Sequence, residues 1–187
     1  MLFREKRLIF NTYKEIFPYL KEAKSILDVG AGSALVADFI QKNSKAEVEC
    51  IDVIDISRCS IKPILFDGKH IPFPDNSFDL VICCFVLHHT PFQKELLIEM
   101  KRVSKGSLLV LEDVASSWFD WPFLFIHRII SFFTYHSRSM KFRSNAGWKT
   151  LFSQLNLKLV EEKPISHWRD LCFPASRKKY LLAKSSV

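Results

Sequence analysis

The 187 residues are 48% hydrophobic and 25% charged, which is the composition of an ordinary globular protein and excludes a disordered or fibrous chain. This length suits one domain whose core is large enough to fold without disulfides or a structural metal. The five cysteines are an odd number and lack C-x-x-C spacing, so we expect buried free thiols in a reducing, cytoplasmic compartment. Charged residues at 4–7 precede a mixed segment, so no signal peptide is predicted.

The net charge of +7 is unevenly distributed along the chain. Residues 25–114 carry a net charge of about −4, whereas the N-terminal and C-terminal flanks carry about +3 and +8. An anionic partner is therefore expected to meet the flanks, which leaves nucleic acid open as a partner. A solvated surface that keeps the protein in solution explains the same charges equally well.

The first predicted elements are helical. Residues 2–23 carry apolar residues at helical spacing, with a break near Pro18, because proline lacks the N–H group that a helix interior needs. In a domain built on a sheet, such a segment covers the sheet or the ligand. We therefore expect residues 1–24 to form a helical cover.

The stretch 25–34, S-I-L-D-V-G-A-G-S-A, organises the rest of the chain. Its apolar residues predict a buried strand, and Gly30 and Gly32 permit the sharp turn that must follow. From Ser33 onward apolar residues recur at helical spacing, with Ser33 as the expected N-cap. A strand, a glycine turn and a helix in this order are predicted to point several free backbone N–H groups at a ligand above the end of the strand.

The kind of ligand follows from what the stretch lacks. A dinucleotide site has a third glycine, at the place of Leu35, and a P-loop has Gly-Lys-Ser/Thr, which does not occur here. Asp28 adds negative charge beside a pyrophosphate but suits a ligand with cationic groups. The stretch resembles motif I, D-x-G-x-G, of class I S-adenosylmethionine-dependent methyltransferases. The resemblance implies that S-adenosylmethionine is the cofactor and that Asp28, Gly30, Ala31 and Gly32 bind its amino-acid end.

A second strand is predicted at 46–51 and ends on Asp52. An acid about twenty residues after the glycine turn occupies the place of the ribose-binding carboxylate in a nucleotide-binding βαβ unit. A carboxylate accepts hydrogen bonds from both ribose hydroxyls. We predict that Asp52, with the adjacent Val53, binds the ribose, and Asp55 is the alternative. Without motif I, an ordinary polar residue at a strand end is the better interpretation.

The third predicted strand, 61–66, is followed by Asp67 and Gly68. In the methyltransferases that the chain resembles, an acid here reaches the adenine amino group, so the resemblance implies that Asp67 and the backbone at Gly68 bind adenine. The loop 71–79, I-P-F-P-D-N-S-F-D, and the strand after it closely match the family's L-P-F-x-D-x-S-F-D-x-V. This match implies that Cys84, near the end of the fourth strand, lies at the cofactor.

His88 and His89 follow the fourth strand. Because ligands of open α/β sheets bind outside the carboxyl ends of the strands, both are expected near the methyl acceptor. An imidazole titrates near neutrality, so either histidine is a candidate general base. In the related methyltransferases the pair also shapes the pocket or caps the next helix. Adjacent side chains diverge and no third ligand has a suitable spacing, so no metal site is predicted.

A fifth strand at 108–112 precedes an aromatic segment, 118–135. Polar and charged residues interrupt this segment well before the ~20 apolar residues that span a bilayer. We predict a lid for an apolar acceptor or a peripheral contact with a membrane surface, with basic residues at the headgroups. Burial against the N-terminal helices or in a dimer interface is an equal alternative, and the oligomeric state stays open.

A helix at 146–155, with Ser144 or Asn145 as its cap, and strands at 157–160 and 180–183 complete the chain. The predicted fold is α/β, a doubly wound, seven-stranded, mostly parallel sheet with an antiparallel last strand. One domain is expected over the whole chain. Its parts are a helical cover (1–24), a cofactor-binding core (25–114), an aromatic lid or insertion (115–143), and a C-terminal helix with strands (144–187).

The resemblance extends over nearly the whole chain and implies direct methyl transfer to a small hydrophobic acceptor, such as a lipid or quinone. Two alternatives stay open, and the second belongs to a different functional class. One is an RNA methyltransferase that uses the basic flanks. The other is a catalytically silent subunit that binds S-adenosylmethionine and docks a partner through the aromatic segment.

Overall fold

A seven-stranded sheet carries the structure, a computed structural model that describes residues 2–115, 122, 124–126, 129, 140–165 and 176–185. The strands are β1 (Ser25–Val29), β2 (Glu47–Asp52), β3 (Ile64–Leu65), β4 (Phe78–Cys84), β5 (Ser104–Val114), β6 (Leu157–Pro164) and β7 (Ser176–Lys184). The helices are α1 (Leu2–Ile16), α2 (Leu35–Asn43), α3 (Gln93–Val103) and α4 (Asn145–Gln154), with short 3₁₀ helices at Phe17–Tyr19 and Leu87–His89.

The strands lie in the order β3-β2-β1-β4-β5-β7-β6. Neighbours from β3 to β5 pair in parallel, and β7 pairs antiparallel with both β5 and β6. The predicted doubly wound sheet with an antiparallel last strand is confirmed. Because the chain order reverses between β1 and β4, a crevice forms at the carboxyl ends of these two strands, where such sheets bind ligands.

Helices cover both faces of the sheet, and the alternation of β1 shows why. Leu27 and Val29 pack into one core together with α3 and α4, whereas Ile26 packs into the other core with α1 and α2. The apolar face predicted for α3 is buried in the first of these cores at Leu96, Leu97, Met100 and Val103. Two cores on one sheet hold the β1–β4 crevice between rigid layers.

Several predicted element starts are wrong. The strands β5 and β7 begin at Ser104 and Ser176, before the predicted residues 108 and 180. Two other starts are wrong for local reasons. The third strand was expected from residue 61, but β3 begins at Ile64, directly after Pro63, which has no N–H group for a ladder. The N-cap of α2 is Ala34, with φ +57°, and not Ser33. The carbonyl of Ser33 instead accepts a bond from Arg58 N at 2.9 Å, so Ser33 belongs to the turn.

Both ends of the chain follow the predicted pattern where they are described. The helix α1 ends at Ile16, and Pro18 lies in the following 3₁₀ helix. Ser144 is the N-cap of α4, and its hydroxyl accepts a bond from Gly147 N at 3.1 Å. Most of the aromatic segment 118–135 lies outside the described residues. Among those described, no helix is long and apolar enough to cross a membrane.

Candidate cofactor and acceptor site

Glycine is suited to the two positions of the turn after β1 for different physical reasons. Gly30 has φ +76°, and a Cβ placed on it would lie 2.5 Å from Val86 Cγ1. Gly32 has φ +53°, and a Cβ there would meet nothing within 4 Å. Gly30 is therefore required by the packing of Val86, whereas Gly32 leaves an open ledge that a ligand can approach.

The backbone amides of the turn correct one prediction. Gly30 N and Ala31 N both donate to Ile51 O, at 2.9 and 3.1 Å, and Gly32 N donates to Asp52 Oδ2 at 2.7 Å. The sequence predicted that these amides would be free. The structure shows that all three are bonded to the end of β2. Within the described residues, the amide of Ser33 and the amides of the first turn of α2 have no acceptor.

Asp28 places a buried carboxyl group directly under the turn. Asp28 is 3% exposed, and no group within the described residues donates a hydrogen bond to its side chain. Burial, and after it the charge of Asp52, raise the pKa of Asp28 to about 7. A carboxylate with these surroundings is stabilised by a cation. The ammonium or sulfonium of S-adenosylmethionine supplies such a charge, so the corner fits this cofactor.

Asp52 stands at the carboxyl end of β2 and faces the glycine turn. Its Oδ1 accepts bonds from Val53 N and Ile54 N, at 2.7 and 3.3 Å, in addition to the bond from Gly32 N to Oδ2. A carboxylate has about four acceptor sites, so this one retains capacity for a ribose hydroxyl. Asp55, by contrast, is turned to its own loop, where Ser57 N and Oγ donate to its Oδ1 at 2.9 and 2.5 Å. This geometry favours Asp52 over Asp55 for ribose.

The predicted adenine residues lie beside Val53, which follows Asp52, the residue predicted to bind ribose. Gly68 has φ +81°, and a Cβ there would lie 3.2 Å from Val53 Cγ1, so the two loops are in contact. Val53 itself is 61% exposed. The carboxylate of Asp67 accepts bonds from Lys69 N, His70 N and His70 Nδ1. The His70 amide and side chain hold the pKa of Asp67 below its usual range.

Cys84 ends β4 between the strands that carry Asp28 and Glu112. Burial, followed by the charges of these two acids, raises the pKa of its thiol well above the usual value. The thiol is therefore neutral and unreactive at physiological pH. This position agrees with a wall of the cofactor site, which stays a prediction for Cys84.

A buried carboxylate that the sequence analysis missed holds the histidine turn. Both oxygens of Glu112, at the end of β5, are used: Oε1 accepts from Val86 N and Leu87 N, at 3.0 and 2.6 Å, and Oε2 is 2.6 Å from His88 Nδ1. The side chains of Glu112 and His88 are both 0% exposed. The acid in the apolar run L-L-V-L-E-D was the available signal.

The two histidines differ in their surroundings. His88 stacks on Phe142, with ring centroids 5.0 Å apart, and burial lowers its pKa, but the charge and hydrogen bond of Glu112 raise the pKa more. His89 is half-buried, and its ring centroid lies 4.1 Å from that of His88. Within the described part of the chain, no group of three possible ligands forms a metal site.

Comparisons with known proteins agree with this arrangement. A family model described as a methyltransferase domain matches residues 2–162. A ubiquinone/menaquinone biosynthesis C-methyltransferase, UbiE, of Cupriavidus metallidurans is 31% identical over 108 residues, which make up 50% of this chain and 44% of the relative. UbiE of Cupriavidus pinatubonensis is 50% identical over 50 residues, 26% of this chain and 21% of the relative. The chain thus spans less than half the length of these curated relatives.

Solved structures share the fold at low sequence identity. One is a chain of the complex between the Haloferax volcanii Trm112 methyltransferase activator and a methyltransferase, with a TM-score of 0.72, 14% identity, and coverage of 97% of this chain and 92% of that one. A second is a SAM-dependent methyltransferase from Aquifex aeolicus, with a TM-score of 0.66, 15% identity, and coverage of 96% and 93%. Because the family model covers most of the residues, the chain belongs to the methyltransferase domain family, with the fold and the cofactor, S-adenosylmethionine, of the class I methyltransferases.

Proposed function

We propose that the protein transfers a methyl group directly from S-adenosylmethionine to a small apolar acceptor, such as a quinone-like or lipid molecule. The observation that carries the proposal is the corner formed by Asp28, Gly32 and Asp52, where a buried carboxylate and an open glycine meet a ribose-competent acid. When bound there, the cofactor supplies a methyl group already activated by the sulfonium. The chain therefore needs to align the acceptor and to exclude water.

Each part of the corner has a separate task in this proposal. Asp28 holds the cationic end of the cofactor, and the Ser33 amide and the first turn of α2 hold its carboxylate. Asp52 accepts hydrogen bonds from the ribose. Val53, Gly68 and Asp67 enclose the adenine.

At the acceptor side, Glu112 is a positioning residue and His89 is the candidate base. Glu112 fixes the turn 87–89 through two backbone amides and one imidazole, so His88 serves to hold the turn. His89 is more accessible than His88 and is the better candidate to take a proton from an acceptor. A His89→Gln variant should lower the rate of methyl transfer while it leaves cofactor affinity unchanged.

Two observations support an apolar acceptor. The relatives are ubiquinone/menaquinone biosynthesis C-methyltransferases, and ubiquinone and menaquinone are apolar quinones. In this chain, Phe125, Ile126 and Ile129 are 63%, 48% and 44% exposed, although they are large and apolar. Apolar side chains that remain in water at this level are available to an acceptor or a membrane surface.

The test begins with cofactor binding and ends with the acceptor. Calorimetry should detect S-adenosylhomocysteine binding, and labelled methyl groups should enter the lipid fraction of a cell extract. Label in the RNA fraction, with binding that falls steeply with salt, would support the RNA alternative instead. Binding without label in any fraction would support the silent subunit.

A pair of variants tests the apolar surface. Phe125→Ser and Ile129→Ser should reduce sedimentation with liposomes or binding of hydrophobic phenols. Ile98→Ser is the matched control, because Ile98 is 44% exposed on α3. Equal behaviour of all three variants would contradict an apolar acceptor that contacts this surface.

A further inference from the structure

A basic pocket lies between the first turn of α3 and one side of α4, next to the histidine turn. The pocket has a volume of about 470 Å³. Three cations and one acid line it, and these residues are Lys94, Lys141, Arg143 and Glu95. The hydroxyl of Thr150 and the amide of Gln154 complete its polar wall.

The guanidinium of Arg143 is held in a fixed position. Its Nε donates to Gln93 Oε1 at 2.7 Å, and its Cζ lies 5.7 Å from the centroid of the Trp148 ring. Gln93 is 1% exposed and is itself fixed, because its Nε2 donates to Leu87 O and Lys141 O at 2.9 and 2.7 Å. An arginine with one edge used in this way keeps its terminal nitrogens for another acceptor.

The pocket keeps an excess of positive charge, because, in the part of the chain that the structure describes, Glu95 is the one acid that lines it beside three cations. Within the described residues, no carboxylate lies at salt-bridge distance from Lys94, Lys141 or Arg143. The amino end of α3 lines the same space, and helix amino ends favour anions. A fork of nitrogens, two ammonium groups and a hydroxyl that surround one space match the several oxygens of a phosphate better than the two of a carboxylate.

We propose that this pocket binds a phosphate group, carried either by the methyl acceptor or by a lipid headgroup beside it. Its wall is bonded to the histidine turn, because Lys141 N donates to His88 O at 2.9 Å and Gln93 donates to Leu87 O. A bound phosphate therefore lies next to the acceptor side of the site. The location beside an acceptor rests on the proposed function, whereas the binding of phosphate does not.

The experiment measures phosphate binding and cofactor binding separately. Inorganic phosphate and phenyl phosphate are titrated into the full chain and followed by ³¹P line broadening, and S-adenosylhomocysteine is titrated by calorimetry. Arg143→Gln and Lys94→Gln should each weaken phosphate binding about tenfold or more, because each removes charge-assisted hydrogen bonds. Lys149→Gln is the matched control, since Lys149 lies on α4 outside the pocket lining and pairs with Glu162 at 3.3 Å. S-adenosylhomocysteine affinity should be unchanged in all three variants.

The source of the phosphate is decided by vesicles. Sedimentation with phosphatidylglycerol vesicles, but not with phosphatidylcholine vesicles, that is lost in Lys94→Gln supports a lipid headgroup. Binding of phenyl phosphate without sedimentation supports a soluble phosphate ester. Lys94→Gln keeps the test valid if Arg143→Gln does not fold, because Lys94 is exposed. Absence of saturable phosphate binding, or equal binding by all variants, would overturn the proposal. If the wild type does not bind S-adenosylhomocysteine, this result would count against the proposed function alone.

Discussion

Replacing Asp28 by asparagine should stabilise the protein at pH 8 and at the same time abolish cofactor binding. The unfolded chain releases this proton near pH 3.8, but the folded chain retains it up to about pH 7. Because the folded-state pKa is raised, the fold loses stability as the pH rises from about 4 to 7, and the full cost is present above 7. A pKa that moves from 3.8 to about 7 corresponds to about 4 kcal/mol, since each unit is worth about 1.4 kcal/mol.

The assay is urea denaturation of both proteins at pH 5 and pH 8, combined with calorimetry of S-adenosylhomocysteine. Asp28→Asn keeps the shape of the side chain and removes the charge, so this variant should lack the wild type's loss of stability between the two pH values. Glu49→Gln is the matched control, because Glu49 is an exposed acid on β2 opposite Leu27. The reasoning is refuted if Asp28→Asn is less stable than the wild type at pH 8, or if it binds the ligand as tightly.

Further predictions concern the glycine turn, the carboxylate proposed to bind ribose, and the bonds between Glu112 and the histidine turn. Gly30→Ala should destabilise the fold by about 3 kcal/mol or more in a thermal melt, because the new Cβ overlaps Val86 and the φ angle is unfavourable for alanine. Gly32→Ala should destabilise the fold by only about 1 kcal/mol, from its φ angle alone, and should mainly weaken ligand binding. Asp52→Asn should weaken S-adenosylhomocysteine at least about tenfold in calorimetry, and Asp55→Asn less than about twofold; the reverse order would assign the ribose to Asp55. Glu112→Ala should cost about 3–5 kcal/mol of unfolding free energy, because it strands a buried histidine and two amides. The pair's contribution is present below about pH 6.5 and is lost as the pH rises through the raised pKa of the histidine, so the difference between wild type and variant should shrink above neutrality.

The parts that the sequence predicted are those set by local chain chemistry. The strand, glycine turn and helix at 25–43 are encoded within one stretch, and Asp52 ends an apolar run that is visible in the sequence. The N-cap of α2 was misplaced because Ser33 is used by Arg58, a residue in a distant loop. Local propensity gives no access to such a partner.

The parts that could not be predicted depend on contacts between strands. Ile51 O takes two amides of the glycine turn, and this pairing requires β2 to lie beside β1. The bonds from the histidine turn to Glu112 likewise require β5 beside β4, and the two residues of the ion pair are 24 positions apart in the sequence.

Asp79 lies in a motif that matches the family, but its side chain makes its bonds away from the candidate site. It belongs to the S-F-D run that identified the family, but its Oδ2 accepts bonds from Lys24 N and Ser25 N, at 2.9 and 3.0 Å, at the amino end of β1. Its Oδ1 pairs with Lys105 at 2.7 Å, at the amino end of β5. This part of the family pattern therefore fastens the sheet at the edge opposite to the crevice.

The contact between Gly30 and Val86 changes what a motif match means in this family. The first glycine of D-x-G-x-G is fixed here by a neighbouring valine, and the second by free space. A descendant of this chain that lost its cofactor would still need the first glycine in order to fold, but selection would no longer preserve the second. In related sequences, an intact first glycine beside an altered second one would therefore mark chains that keep the architecture and have given up the chemistry.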